Sequence, residues 1–432
     1  MILHPRLRYR EIRSFSNELR TLSEVIRLER LPLGAIRDRQ ARLLRWIVRY
    51  SYRNVPFYRD SFQRCDIHPD QIRSTADLDK LPVLTKEQVV CNYPHRMVAE
   101  GYDSETSFRC RSSGTSGIPA TYLSDWATRD ANFALLYRAR SLFGYRPKHL
   151  ECIFTYLAPA TRWYQRLGFC RRIRISLLQP LEDSIEQAIR LRPDVLYSVP
   201  SYLRTLCLEG SERLGALPLV LVVSSGEVLD PKTREILREG FRAPVLDLYG
   251  AAEQPYVASE CPLQSGLHVN MYNTLIEVAR DGEGAAPGET GEILLTTLTN
   301  RAMPLIRYRM GDASRILPDE CCCGRHGEML DRIQGRCDDF LKSRTGREVA
   351  AIVVEAAVLS NARVKAFRVI QRSPSRLEIQ SVGKIEDEAA ARIADSMRQA
   401  LMDQRLEVEF RDVEAIDPDP SGKRRVVIRE SW

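Results

Sequence analysis

Ser112, Ser113, Thr115 and Ser116 surround Gly114 and Gly117 in the stretch RSSGTSGIP at 111–119. Glycine lets successive backbone N–H groups turn toward one point, so such a loop can form a nest for a polyphosphate. Ser/Gly clusters are also ordinary turns. The weight therefore lies in four further motifs: YGAAE at 249–253, RYRMGD at 307–312, GRCDDFL at 335–341 and SGKRRV at 421–426. A P-loop is excluded, because Ile118 and not Lys follows Gly117. A second chemistry is visible in the cysteines. Cys321, Cys322 and Cys323 are consecutive and followed by Gly324. C-x-C-G is a compact turn that points to a metal knuckle or a reactive thiol.

These residues need a frame to hold them. The chain has 432 residues, 44% hydrophobic and 28% charged, enough for two or three domains with real cores. Residues 12–54 read as helices: Phe15, Leu19, Leu22 and Ile26 share one helical spacing, Leu43, Leu44 and Ile47 another, with Pro32 and Gly34 between them. From 181 to 249 helical stretches alternate with the short apolar runs VLYSV (195–199), LVLVVSS (219–225) and VLDLY (245–249). Strands separated by single helices predict a layered, parallel α/β sheet with ligands at the carboxyl ends of its strands. SSGE (224–227) and YGAAE fall at such ends. After about 265 the pattern changes to a smaller β unit containing ILLTTLT (293–299). From about 338 a compact α+β segment is expected. It has a helix near 352–359, strands at 365–371 and 376–382, a helix near 386–405 and a strand at 408–414.

The net charge of +7 is spread along the chain, with only short clusters such as Arg171, Arg172 and Arg174. Neither nucleic acid nor a membrane is expected as a partner. No apolar run reaches the roughly 18 residues of a membrane span. The first residues lack a signal-peptide core. The 11 cysteines are odd in number and unevenly placed, unlike a secreted disulfide framework. A cytoplasmic protein is the expectation.

The five motifs, in this order, resemble the adenylate-forming superfamily of acyl-CoA synthetases, and within it the phenylacetate–CoA ligase and coenzyme F390 synthetase-like branch. VPFYRDSF (55–62), LPVLTKEQV (81–89) and TTLTNRAMPLIRYRMGD (296–312) are similar to that branch as well. The resemblance implies a large α/β N-terminal adenylation domain over 1–335. It also implies a mobile α+β C-terminal domain over 336–432, turning on a hinge at Asp338. It implies ATP, Mg²⁺ and CoA, and a small carboxylic acid of aromatic type. By resemblance Ser112, Ser113, Gly114, Thr115, Ser116 and Gly117 hold the pyrophosphate. Tyr249 and Gly250 meet adenine on one face, and Gly226 and Glu227 on the other. Glu253 takes Mg²⁺, and Asp312 accepts both ribose hydroxyls. Arg336 contacts the nucleotide, and Lys423 is the catalytic lysine. Two positions depart from the family: Ile118, often Lys, and Ala252, usually Ser or Thr.

Some members of the branch carry a Cys/His zinc site, which maps here to Cys261, His268, Cys321 and Cys323 as a structural Zn²⁺ shell. Cys322 could replace either neighbour. The reading that follows is an AMP-forming acid–thiol ligase. An adenylate-forming amide ligase with an amine acceptor, or an enzyme loading a carrier protein, would share every motif. A catalytically weak, nucleotide-binding accessory protein would be consistent with Ile118 and Ala252.

Overall fold

The computed structural model describes residues 5–112, 120–155, 162–177, 179–280, 282–336, 340–344, 348–349, 351–362, 364, 366–417 and 425–430. They form two compact units. One comprises Met1–Tyr145, Leu248–Met310 and Ser314–Arg332. The other comprises Arg146–Asp247, Gly311–Ala313 and Ile333–Trp432.

The alternation expected from 181 to 249 is realised, in the second unit as far as Asp247. Helix Leu181–Leu191, strand Val195–Ser198, helix Pro200–Leu214, strand Leu221–Ser225, helix Pro231–Phe241 and strand Val245–Tyr249 follow one another. Strands Arg172–Ser176, Glu151–Thr155, Val195–Ser198 and Leu221–Ser225 pair in parallel in that order. Val195, Leu196, Leu221, Val222 and Val223 are fully buried, as strands covered on both faces must be. Local sequence writes the helix ends. Asp230 accepts the N–H groups of Lys232 and Thr233, with Pro231 in the first turn. Arg192 and Arg242 turn left-handed at φ 47° and 53° to stop their helices.

Residues 341–427 carry a core of their own, including Leu341, Val354, Val369, Ile379, Ile393 and Val427. Its sheet runs Glu407–Asp412, Arg376–Val382, Ala366–Ser373, Val427–Arg429. The central pair is antiparallel and both outer pairs are parallel. Helices Ala351–Asn361 and Asp387–Leu401 complete this part. The helix expected to reach 405 ends at Leu401, because Met402 adopts a left-handed φ of 52°.

In the first unit, helices Pro5–Leu28 and Leu33–Asn54 open the chain. Pro32 sits at the N-cap of the second, so Gly34 lies inside its first turn and not in the break. Phe108–Arg111 pairs antiparallel with Thr121–Ser124. The change of texture is a change of pairing: Ala258–Glu260 with Leu267–Val269, Leu267–Val269 with Met329–Leu330, and Thr274–Arg280 with Gly291–Thr297 are all antiparallel. Among the described residues, no helix is long and apolar enough to cross a membrane.

Candidate functional site

Ser113, Gly114, Thr115, Ser116, Gly117, Asp338 and Lys423 lie outside the described residues. Ser112 is described, and it closes the base of the first motif. Its N–H donates to the Ala120 carbonyl at 2.9 Å, and the Ala120 N–H donates back to Ser112 Oγ at 2.9 Å. Strands Phe108–Arg111 and Thr121–Ser124 are thereby held together at Ser112 and Ala120. Burial pushes Cys110, two residues before Ser112, up to about 11; the charge of Arg129 opposes the shift and that of Glu253 adds to it.

The YGAAE segment turns tightly. A Cβ on Gly250 would meet the Pro255 carbonyl oxygen at 2.0 Å, so only glycine fits. The Ala251 N–H donates to Gln254 O at 3.0 Å, and Gln254 is anchored by donating to Thr274 Oγ1 at 2.9 Å. Glu253 is 8% exposed at the crest. Tyr249 ends its strand buried, with its hydroxyl directed at Met310 Sδ, 3.5 Å away.

In the second unit, Asp312 and Arg336 are partners in register on adjacent antiparallel strands. Their side chains approach to 3.9 Å and stay 17% and 32% exposed respectively. A Cβ on Gly311 would stand 2.6 Å from the Arg336 guanidinium, so the glycine at φ +78° gives that side chain its place. A carboxylate able to accept two hydroxyl donors and a planar cation are thereby set side by side. Gly226 turns at φ +92°, after strand Leu221–Ser225. Glu227 then accepts from the Ser201 N–H at 3.0 Å and from its hydroxyl at 3.1 Å. The carboxylate thereby caps the helix beginning at Pro200. Tyr202 packs on Phe154 and donates to Ser184 Oγ at 3.0 Å.

The Cys/His residues converge. One ligand atom from each of Cys261, His268, Cys321 and Cys323 lies within 4.8 Å of every other. Tetrahedral coordination with bonds of about 2.3 Å to sulfur and 2.05 Å to nitrogen demands S···S of about 3.8 Å and S···N of about 3.6 Å. Cys261 and Cys321 stand 3.7 Å apart, and Cys323 Sγ lies 3.5 Å from His268 Nε2. The sulfur pair is far beyond the disulfide length of about 2.05 Å. Cys322 is exposed and outside the set, which settles which two of the three consecutive cysteines face inward. Burial, then the nearby Arg325, hold His268 down to about 3, so its imidazole is neutral and can ligate. Burial pushes Cys261 up to about 12. Cys321 is also opposed by burial, but hydrogen bonds from Ser265 and Cys323 bring it below the usual thiol value. The set can hold one tetrahedral ion at the expense of thiol protons.

Sequence reasoning missed the support around this cluster. Arg325 is 8% exposed and donates to Glu29 at 2.7 Å, and Arg138 donates to the other oxygen of Glu29 at 2.8 Å. The position of Arg325, two residues after Cys323, was the available signal. Glu355 was also missed. It is buried in helix Ala351–Asn361 and raised well above the ordinary carboxylate value by burial, then by Asp230 and Glu227. A single carboxylate in the run AIVVEAAVLS could have flagged it.

No family model matches the chain. A phenylacetate-coenzyme A ligase from Aromatoleum evansii is 31% identical over 359 residues, covering 78% of this chain and 78% of that protein. A fumarate--(S)-2,3-diaminopropanoate ligase from Enterobacter agglomerans is 23% identical over 290 residues, 62% of this chain and 68% of that one. Among solved structures, 2-hydroxyisobutyryl-CoA ligase in the postadenylation state, in complex with R3-HIB-AMP, has a TM-score of 0.79. It is 21% identical and covers 94% of this chain and 91% of that one, a likeness of fold. The adenylate-forming fold expected from the motif order is the fold observed, and the chain belongs to the phenylacetate-coenzyme A ligase family.

Proposed function

We propose that the chain activates an aromatic carboxylic acid with ATP and passes the acyl group to CoA. A carboxylate oxygen attacks the α-phosphorus, pyrophosphate leaves, and the acyl-adenylate forms. The CoA sulfur then attacks the carbonyl carbon, the thiol proton is lost, and AMP leaves. The observation that carries this reading is the 31% identity to a phenylacetate-coenzyme A ligase across 78% of both chains.

The chain's residues take these roles in the proposal. Residues 112–117 cradle the departing pyrophosphate. Glu253 holds the Mg²⁺ that accompanies ATP. Tyr249, Gly250, Gly226 and Glu227 flank adenine. Asp312 receives the ribose hydroxyls beside Arg336, a role that suits a part-exposed carboxylate next to a guanidinium. Lys423 stabilises charge building on the α-phosphate. The segment 336–432 turns about Asp338 between the half-reactions and excludes water from the anhydride. Cys261, His268, Cys321 and Cys323 hold a structural Zn²⁺ with no open position for chemistry. Cytoplasmic residence belongs to the same reading, supported by free cysteines throughout the described residues.

The relative from Enterobacter agglomerans, whose name joins an acid to an amine, favours amide formation as the second reading. Incubation with ATP and a panel of acids, with CoA or amines as acceptors, separates them by mass analysis of products. An arylacetyl- or aroyl-CoA supports the proposal. Amide products without thioester would transfer the chain to the second reading.

A further inference from the structure

The first helix, Pro5–Leu28, does not bury its most apolar stripe. Its inward residues are Ser14, Glu18, Thr21, Val25 and Leu28. It packs on helix Trp126–Ser141. Beside that inward face runs the stripe Ile12, Phe15, Leu19, Leu22, Ile26, with alternating steps of three and four. Ile12 is 61% and Leu19 53% exposed, and the other three are half-buried. This is the spacing of a seam between two helices. Next to it lie the exposed Ser16 and Ser23. Beyond them stands an exposed column one heptad apart, Arg13, Arg20 and Arg27.

We propose that this face is a docking seam for an amphipathic helix of another protein, one whose flank is acidic. Ile12, Leu19 and Ile26 supply the knobs, and the small serines let a second backbone approach. The arginine column meets carboxylates at the partner's rim. Arg20 has an internal partner in Glu24, but that pair is 3.9 Å apart and well exposed, which binds it weakly. The column argues against a second copy of this chain, because an antiparallel pair about Leu19 would set arginines against arginines. A bilayer is disfavoured because the stripe is two residues wide, narrower than the broad apolar face of an interfacial helix.

The test uses the full chain and a labelled synthetic heptad peptide with isoleucine and leucine at the seam and glutamate at the flanks. Saturable binding by fluorescence anisotropy at low salt is expected. The double variant Ile12→Ser/Leu19→Ser and the triple variant Arg13→Glu/Arg20→Glu/Arg27→Glu should each weaken it by about tenfold or more. Added salt should weaken it too, and a lysine-flanked peptide should not bind. Circular dichroism and acid-dependent pyrophosphate release should stay unchanged in both variants, so this proposal can fail without the proposed function failing. Absence of saturable binding, or equal binding of the two peptides, overturns it. So does self-association of the chain that Leu19→Ser abolishes, or binding to phosphatidylserine vesicles in preference to the acidic peptide.

Discussion

The Cys/His cluster and the Asp312–Arg336 pair are both sets of polar groups brought together from separated motifs, yet they are built oppositely. The first draws four ligand atoms within 4.8 Å of one another, with Cys261 and His268 buried. The second leaves a carboxylate and a guanidinium 3.9 Å apart, longer than a hydrogen bond, with both side chains part-exposed. In the proposed function the first keeps an ion, which fits a set assembled as part of the core. The second admits and releases a nucleotide, which fits groups kept near solvent beside a glycine turn. Loss of the first should therefore appear as loss of structure, and loss of the second as loss of binding.

The largest effect should come from Cys321→Ser/Cys323→Ser. Zinc content should fall from one per chain to none, and the melting temperature should drop by roughly 10 °C or more, since a bound structural ion is linked to folding. Wild-type protein that is folded and metal-free after purification without added zinc would break the comparison on this side. Lys423→Ala should lower adenylate formation by roughly 10²–10³ with the melting temperature unchanged. Thioester formation from supplied acyl-adenylate should survive; equal loss in both half-reactions counts against the assignment. Asp312→Asn should raise the KM for ATP by about tenfold, with a smaller change in kcat, because it removes binding shared by ground and transition states. A fall in stability with unchanged KM would place Asp312 with the structural residues.

Glu355→Gln sharpens the comparison with a buried group that belongs to neither site. Burial, then the charges of Asp230 and Glu227, raise its carboxyl well above the ordinary carboxylate value, which favours the neutral form in the fold. Unfolding lets it ionise, so its contribution is complete below the ordinary carboxylate range and is lost as pH rises toward its folded value. Glutamine cannot ionise. The variant's melting temperature should therefore fall less than the wild type's as pH rises above the ordinary carboxylate range, with the KM for ATP unchanged. Identical pH slopes would mean that Glu355 is not the titrating group.

Much of the second unit was legible because its elements follow strong local rules. Leu181–Leu191, Val245–Tyr249 and Arg376–Val382 have the bounds that their periodicity gives. Pro231 and Asp230 announce a helix start. The four residues of the Cys/His cluster could be named from a turn motif and a resemblance, and their convergence follows from the antiparallel pairing of Leu267–Val269 with Met329–Leu330. Less was legible where tertiary packing overrides pattern. The first helix turns Leu19 outward while burying Glu18 and Thr21. The strands Phe108–Arg111 and Thr121–Ser124 are only four residues each, too short for their periodicity to mark them out, and they pair with one another on either side of residues 113–119. Tyr202 lies just past a strand end and its ring packs on the core, an outcome that proximity to a strand end does not decide.

The central claim is that an acid oxygen bonds to the α-phosphorus of ATP. It is tested most directly by turning over phenylacetate labelled with oxygen-18 in its carboxylate, with ATP and CoA, and weighing the nucleotide product. The proposal predicts AMP carrying one oxygen-18 from the acid, phenylacetyl-CoA retaining the other in its carbonyl, and unlabelled pyrophosphate. Unlabelled AMP, or ADP accompanied by labelled inorganic phosphate, would contradict it.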